Sequence, residues 1–290
     1  MRIASWSWGG RPQVGTVSAD GREVTPLAVA DASTGALALI QAQARGESLP
    51  APAGPRLSID AVTLTAPLPR PLRSLLCVGR NYRAHAAELA SSVFKDVAAK
   101  EDSWPMVFTK FAQCVIGPHD IVRLPGAAIS AQIDYESELA VVIGRGGRDI
   151  PAARAMDHVY GYTIVNDVTA RDVQLRHKQW DLGKNFDTFC PMGPWIVSAD
   201  ELDARDTRVR GWVNGELRQD ARTPDMIFGI ETLIETCSRG ITLYPGDVIA
   251  TGTPSGVGMG FEPPKWLAAG DVVRIEIDGI GAIENRFEAR

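Results

Sequence analysis

Ile133-Asp134-Tyr135-Glu136-Ser137-Glu138-Leu139-Ala140-Val141-Val142-Ile143 sets an acidic stretch directly before a short apolar run. The run reads as a β-strand. Residues i and i+2 of a strand point to one face, about 7 Å apart. Glu136 and Glu138 would then stand side by side, and carboxylates that close repel unless water, protons or a cation compensates. Asp134 shares their parity. The same alternation also suits the solvated face of an amphipathic strand, so this stretch alone leaves both readings open.

Working outward, Asp167 lies in Tyr162-Thr-Ile-Val-Asn-Asp-Val168, where a second apolar run meets polar sequence. A fold that brings Asp167 to the glutamate pair builds an all-oxygen site for a hard divalent ion. Asp167, Arg171 and Gln174 fall at i, i+4 and i+7, one face of a helix. They mix charge types that a plain solvated face does not require, which favours the functional reading.

Composition narrows the class. The chain has 290 residues, 45% hydrophobic and 22% charged, as in ordinary soluble globular proteins. A net charge of -5 and the lack of a basic stripe with interleaved aromatics argue against nucleic acid as a partner. No apolar run reaches the roughly 18 residues of a membrane span. The first ten residues lack the apolar core of an export signal. Cys77, Cys114, Cys190 and Cys237 are scattered with no Cys-x-x-Cys pair, so they read as reduced, buried thiols in a cytoplasmic protein.

Strand patterns are expected at 75–79, 115–122, 133–143, 160–166, 193–198, 208–214, 247–251 and 272–278. Helical patterns are fewer, at about 32–46, 82–91, 168–178 and 225–238. Asp20-Gly21 and Asn214-Gly215 mark tight hairpins. Leu49-Pro-Ala-Pro-Ala-Gly-Pro55 and Ala66-Pro-Leu-Pro-Arg-Pro71 are linkers by composition. The expectation is a small β-rich N-terminal domain with its linker over 1–70 and a catalytic domain over 71–290. Many strands without regular βα alternation place the chain in the α+β class.

Further segments carry chemistry. His85 and Glu88 stand at i and i+3, so on a helix the carboxylate reaches the imidazole and fixes its tautomer, as general-base work requires. An exposed helix pair is the alternative. The polar stretch 89–104 that follows suits either a lid or a surface insertion. Lys184 sits among aromatics, Gly and Pro in Trp180-Asp-Leu-Gly-Lys-Asn-Phe-Asp187, placed to meet an anion or to snorkel at the surface. The Gly-rich stretch 245–258 lacks the Gly-Lys-Ser/Thr of a phosphate loop, and no GxGxxG is present, so nucleotide binding is not expected. It offers backbone N–H groups and the Thr253 hydroxyl to a carboxylate instead. His119, His158 and His177 have no partner by spacing and read as structural or surface residues.

In order along the chain, Val78-Gly-Arg-Asn-Tyr82 with His85 and Glu88, Asp134-Tyr-Glu-Ser-Glu-Leu139, Asn166-Asp-Val-Thr-Ala-Arg-Asp172, Leu182-Gly-Lys-Asn-Phe-Asp187 and Thr251-Gly-Thr-Pro-Ser-Gly256 resemble the fumarylacetoacetate hydrolase family. Each motif is weak alone; five in series over roughly 75–290 are specific. The resemblance, to the branch that cleaves acylpyruvates and fumarylpyruvate, implies a β-rich catalytic domain built as a mixed β-sandwich roll, usually homodimeric, behind a small N-terminal domain. It implies Mg²⁺ or Mn²⁺ on Glu136, Glu138 and Asp167, with Ca²⁺ able to substitute in a crystal. It implies His85 and Glu88 as the pair that activates water and Lys184 as a group holding the oxo acid or the developing oxyanion. Arg80, Tyr82, Arg171, Gln174 and Thr253 are expected at substrate-contacting positions, and Asp134 is not a ligand position. The stretch 91–104 departs in length and content, which bears on the substrate side of the pocket.

The activity that follows is metal-dependent hydrolysis of a C–C bond in an acylpyruvate-type oxo acid, through an enolate whose charge the cation takes up. Decarboxylation, isomerisation or dehydration of a 2-oxo acid would draw on the same site. A small-molecule binder without turnover is the non-enzymatic alternative, and retention of base and ligands argues against it.

Overall fold

Every residue of the strand Ser137–Ile143 is buried. It pairs antiparallel with Val159–Asn166 on one side and with Val248–Ala250 on the other. Leu139, Val141 and Ile143 enter one apolar cluster, while Ala140 and Val142 enter a second. A strand covered on both faces needs apolar side chains in both parities, which is why the run 139–143 shows no alternation. Each such Leu or Ile contributes about 1.5–3 kcal/mol by burial.

The computed structural model describes residues 1–92, 104–176 and 179–290. Twelve strands form one mixed sheet. Its centre runs Cys190–Ser198, Val159–Asn166, Ser137–Ile143, Val248–Ala250, Leu75–Gly79, Met106–Lys110, with Leu75–Gly79 parallel to Val248–Ala250. A five-stranded sheet is ordered Glu216–Arg222, Arg208–Val213, Val272–Ile277, Gly281–Ala289, Val122–Leu124. Val209, Ile275, Ile277 and Phe287 of this second sheet share a cluster with Leu139 and Val141, so the two sheets sandwich one core. Neither sheet closes on itself. The α+β, β-rich expectation holds.

The N-terminal strands extend the large sheet. Arg2–Trp8 pairs with Cys190–Ser198 through Arg2↔Val197 and Ile3↔Ile196, and the helix Leu37–Ala44 buries Leu39 and Ile40 in the second cluster. Residues expected to form a separate small unit are therefore hydrogen-bonded to the rest.

Both hairpin signals are used, with positive φ at Gly21, Asn214 and Gly215. The strand expected over 133–143 breaks at Tyr135 and Glu136, leaving Ile133–Asp134 to pair with Thr169–Ala170. That pairing moves the start of the helix expected over 168–178 to Arg171. The helix expected from 225 starts at Ile230, because Thr223–Asp225 forms a 3₁₀ turn first. The strand expected over 115–122 divides into Val115–Ile116 and Val122–Leu124 around Gly117-Pro118. All four cysteines are free and buried. Among the described residues no helix is long and apolar enough to cross a membrane.

Candidate active site

Strand register assembles the acidic trio. Ser137 stands opposite Asn166, so Glu136 and Asp167 occupy the next rung. The Asp167 N–H donates to the Glu136 carbonyl at 3.0 Å, and the Glu136 N–H donates to Asn166 Oδ1 at 3.1 Å. One carboxylate oxygen from each of Glu136, Glu138 and Asp167 lies within 4.8 Å of the others. All three, and Asp134, are buried, which rules out the solvated face.

Buried charges need partners. Lys184 Nζ donates to Glu136 Oε2 at 2.6 Å and to Asp167 Oδ2 at 2.7 Å. Arg171 reaches Glu136 Oε1 with Nη2 at 2.6 Å and donates to Asp134 Oδ2 from Nε at 2.9 Å. Lys110 Nζ lies 2.9 Å from Asp167 Oδ1 and donates to the carbonyls of Val168 and Lys184. Glu138 accepts only the Gly252 N–H, at 3.0 Å, with no ion pair among the described residues. The electrostatic result is uneven. Burial would raise Glu136, but the charges of Arg171 and Lys184 outweigh it and hold the carboxyl below its usual range. Burial, then repulsion from Asp167 and Glu136, push Glu138 well above that range.

Lys110, Arg171 and Lys184 thus engage Asp134, Glu136 and Asp167, and none of these three cations bonds Glu138. A divalent ion suits this arrangement: the donors are hard oxygens, and added positive charge is what Glu138 lacks. Asp134 stands outside the trio. It accepts from the N–H groups of Gly258 at 2.6 Å, Met259 at 3.1 Å and Tyr135 at 2.9 Å, and binds the Gly-rich loop to Arg171.

The second constellation sits on the helix Arg83–Ser92. His85 Nδ1 lies 2.8 Å from Glu88 Oε2, and the other Glu88 oxygen accepts the Gly256 N–H at 3.0 Å. A Cβ on Gly260 would come within 2.1 Å of that same oxygen, so glycine there is what lets Glu88 dock. His85 is buried, unlike a plain surface pair.

His85, Glu136, Glu138, Arg80, Arg171, Gln174, Lys184 and Thr253 line one pocket, with Phe108 and Trp180 among its apolar walls. The free space between them is about 20 Å³. Lys184 Nζ lies 4.7 Å from the Phe108 ring centroid, and its ammonium is engaged with two of the trio rather than left at the surface.

Tyr82 departs from expectation. It packs in the main core, bridges to Met226 and leaves its hydroxyl without a partner, instead of lining the pocket. Two residues before it, directly after the strand Leu75–Gly79, Arg80 adopts a φ of 57°. His158 Nδ1 contacts the Arg145 carbonyl at 2.7 Å, and His119 is exposed. His177 and residues 93–103 of the expected lid lie outside the described residues. Lys110 and Gln219 escaped sequence reasoning. Lys110 ends an apolar strand, a position where lysine usually snorkels; Gln219 sits in a polar strand with nothing to set it apart.

A family model described as fumarylacetoacetate (FAA) hydrolase C-terminal matches residues 74–288. The chain is 51% identical over 231 residues to the oxaloacetate tautomerase YisK of Bacillus subtilis (strain 168), an alignment spanning 79% of this chain and 74% of the relative. Among solved structures it is similar to the fumarylacetoacetate hydrolase (EaFAH) from psychrophilic Exiguobacterium antarcticum, with 39% identity and a TM-score of 0.86 over 100% of both chains. It is also similar to a 5-carboxymethyl-2-hydroxymuconate delta-isomerase from Mycobacterium smegmatis, with 34% identity and a TM-score of 0.79 over 100% of this chain and 99% of that one.

Proposed function

The chain belongs to the fumarylacetoacetate hydrolase family, a family of enzymes, and on that premise we propose that it interconverts the enol and keto forms of a short 2-oxo dicarboxylic acid of the oxaloacetate type. The observation that carries this reading is His85: buried, oriented by Glu88, and lining the same small space as Glu136 and Glu138. Tautomerisation moves a proton between the enol oxygen and C3. It consumes no water and breaks no carbon–carbon bond, so one well-placed exchanging base is sufficient.

Glu88 takes the Nδ1 side of the imidazole, which leaves Nε2 as the atom that removes and returns the C3 proton. Arg80, Gln174 and Thr253 offer donors to the substrate carboxylates. Arg171 and Lys184 hold Glu136 ionised, and Lys184 fixes Asp167 in place. Mg²⁺ or Mn²⁺ held by Glu136, Glu138 and Asp167 would supply Lewis-acid stabilisation of the negative charge that develops on the 2-oxygen. Phe108 and Trp180 keep bulk water from the wall beside Lys184.

Hydrolysis of an acylpyruvate, the leading expectation from sequence, uses the same groups and needs a placed water and room for an acyl chain besides. The name of the 51%-identical relative supports tautomerisation over it. The test follows the decay of enol absorbance of freshly dissolved enol-oxaloacetate with the protein and Mg²⁺ or Mn²⁺, with products identified by NMR. The expected result is faster ketonisation than with the metal alone, lowered about 10²–10⁴-fold by His85→Ala, with Mn²⁺ affinity retained. No acceleration, or acylpyruvate cleavage outpacing ketonisation, would overturn the reading.

A further inference from the structure

Gln219 is the one buried residue of the strand Glu216–Arg222, whose other positions are exposed or half-buried. Its carboxamide spans two parts of the active site. Nε2 donates to Thr253 Oγ1 and to the Pro254 carbonyl, each at 2.8 Å. Oε1 accepts the backbone N–H of Ser137 at 3.1 Å, between the ligand positions Glu136 and Glu138. The orientation of this amide is fixed by its partners: a backbone N–H can only donate and a carbonyl can only accept, so the group cannot flip without losing both.

The neighbouring strand makes room for it. Gly211 faces Gln219 across the ladder, and a Cβ at Gly211 would lie 2.4 Å from Ser137 Oγ and 3.1 Å from Gln219 Oε1. The register shifts at the next step, between Gly211 and Trp212. Such bulges re-aim side chains beside active sites. Gln219 shares its face with Ala221, which packs against the main core, and the shift follows directly after it.

Because Thr253 Oγ1 already accepts from Gln219, its own hydrogen is free to be donated, and Thr253 lines the pocket. We propose that Gln219 is a positioning residue that makes Thr253 a hydrogen-bond donor toward an anionic substrate and sets its spacing from the Glu136–Glu138 pair. The identity of the acid rests on the proposed function; the geometry does not.

The test is a double-mutant cycle of Gln219→Met and Thr253→Val, read by the affinity of the Mn²⁺-loaded protein for oxalate, a planar dianion with adjacent carboxylates. Each single variant is expected to weaken oxalate about tenfold, and the pair no more than about twofold beyond Thr253→Val alone. Mn²⁺ affinity should stay within about threefold, and in turnover KM should rise more than kcat falls. Multiplying losses of about a hundredfold in the pair, or a parallel loss of Mn²⁺ affinity, would overturn the proposal. If Gln219→Met does not fold, Gln219→Asn decides: its shorter amide cannot span both partners, and wild-type oxalate affinity in that variant would overturn the proposal. A wild-type chain with no ketonisation defeats the proposed function, while the oxalate cycle still decides the role of Gln219.

Discussion

Replacing Glu138 with Gln is expected to stabilise the metal-free protein and to remove most of the stability that a divalent ion confers. Unit charges at the 4.8 Å spacing of the trio repel by about 3 kcal/mol per pair at an effective dielectric of about 20. Glu138 meets two such neighbours and is buried besides. Protonation caps the penalty. A glutamate that is neutral in the fold at pH 7 and ionised when unfolded costs about 1.4 kcal/mol per pH unit above its ordinary value near 4.3, hence at most about 4 kcal/mol. The amide keeps the shape and still accepts the Gly252 N–H, at a cost of about 1 kcal/mol for the second N–H donor that it buries. The net gain is about 2–3 kcal/mol, roughly 3–5 °C in Tm for a chain of this size.

The sign can be checked with pH. A raised pKa leaves stability intact below the ordinary glutamate value and erodes it as pH climbs toward the folded value. The advantage of Glu138→Gln should therefore shrink as pH falls toward about 4. Addition of Mn²⁺ cancels most or all of that advantage. At a hundred times Kd the wild type gains about 2.7 kcal/mol, whereas a variant on the order of a hundredfold weaker gains about 0.4 kcal/mol. Thermal unfolding in chelator and in Mn²⁺ supplies both readings. A variant less stable than wild type in chelator at pH 7, or one gaining equally from Mn²⁺, would refute the reasoning.

Gly260→Ala places a methyl against Glu88 Oε1 at a backbone that tolerates alanine, so ketonisation should fall about tenfold or more while Mn²⁺ titration is unchanged. Lys110→Met removes a buried cation from Asp167 and leaves two carbonyls unmet; urea unfolding should show a loss of about 3–5 kcal/mol. Arg171→Lys cannot bridge Asp134 and Glu136 with one ammonium, and calorimetry should show Mn²⁺ affinity down by about 10–100-fold.

The acidic trio was legible because strand periodicity is a local property and 136, 138 and 167 flank apolar runs that declare themselves as strands. His85 and Glu88 were legible for the same reason at helical spacing. The break at Tyr135 and Glu136 was not, since it depends on Thr169–Ala170 pairing back onto Ile133–Asp134, a long-range contact. Glu216–Arg222 and Gly281–Ala289 were missed because one face of each is charged and their β character comes from the ladder they complete. The placement of Tyr82 in the main core, outside the lining of that pocket, has no local mark in the sequence. Lys110 and Gln219 lack any local mark: their roles exist only through partners 58 to 74 and 34 to 82 positions away.

One backbone excursion holds Glu138, Glu88 and Asp134 and also lines the pocket. Gly252 holds Glu138, Thr253 faces the pocket, Gly256 holds Glu88, and Gly258 with Met259 holds Asp134. Such a loop is a common gauge: a shift that loosened one grip would disturb the others together. Divergence in chemistry would then enter through walls built from other segments, such as Arg80, Phe108 and Trp180. That is how a single scaffold can be retained by relatives named as a tautomerase, an isomerase and a hydrolase.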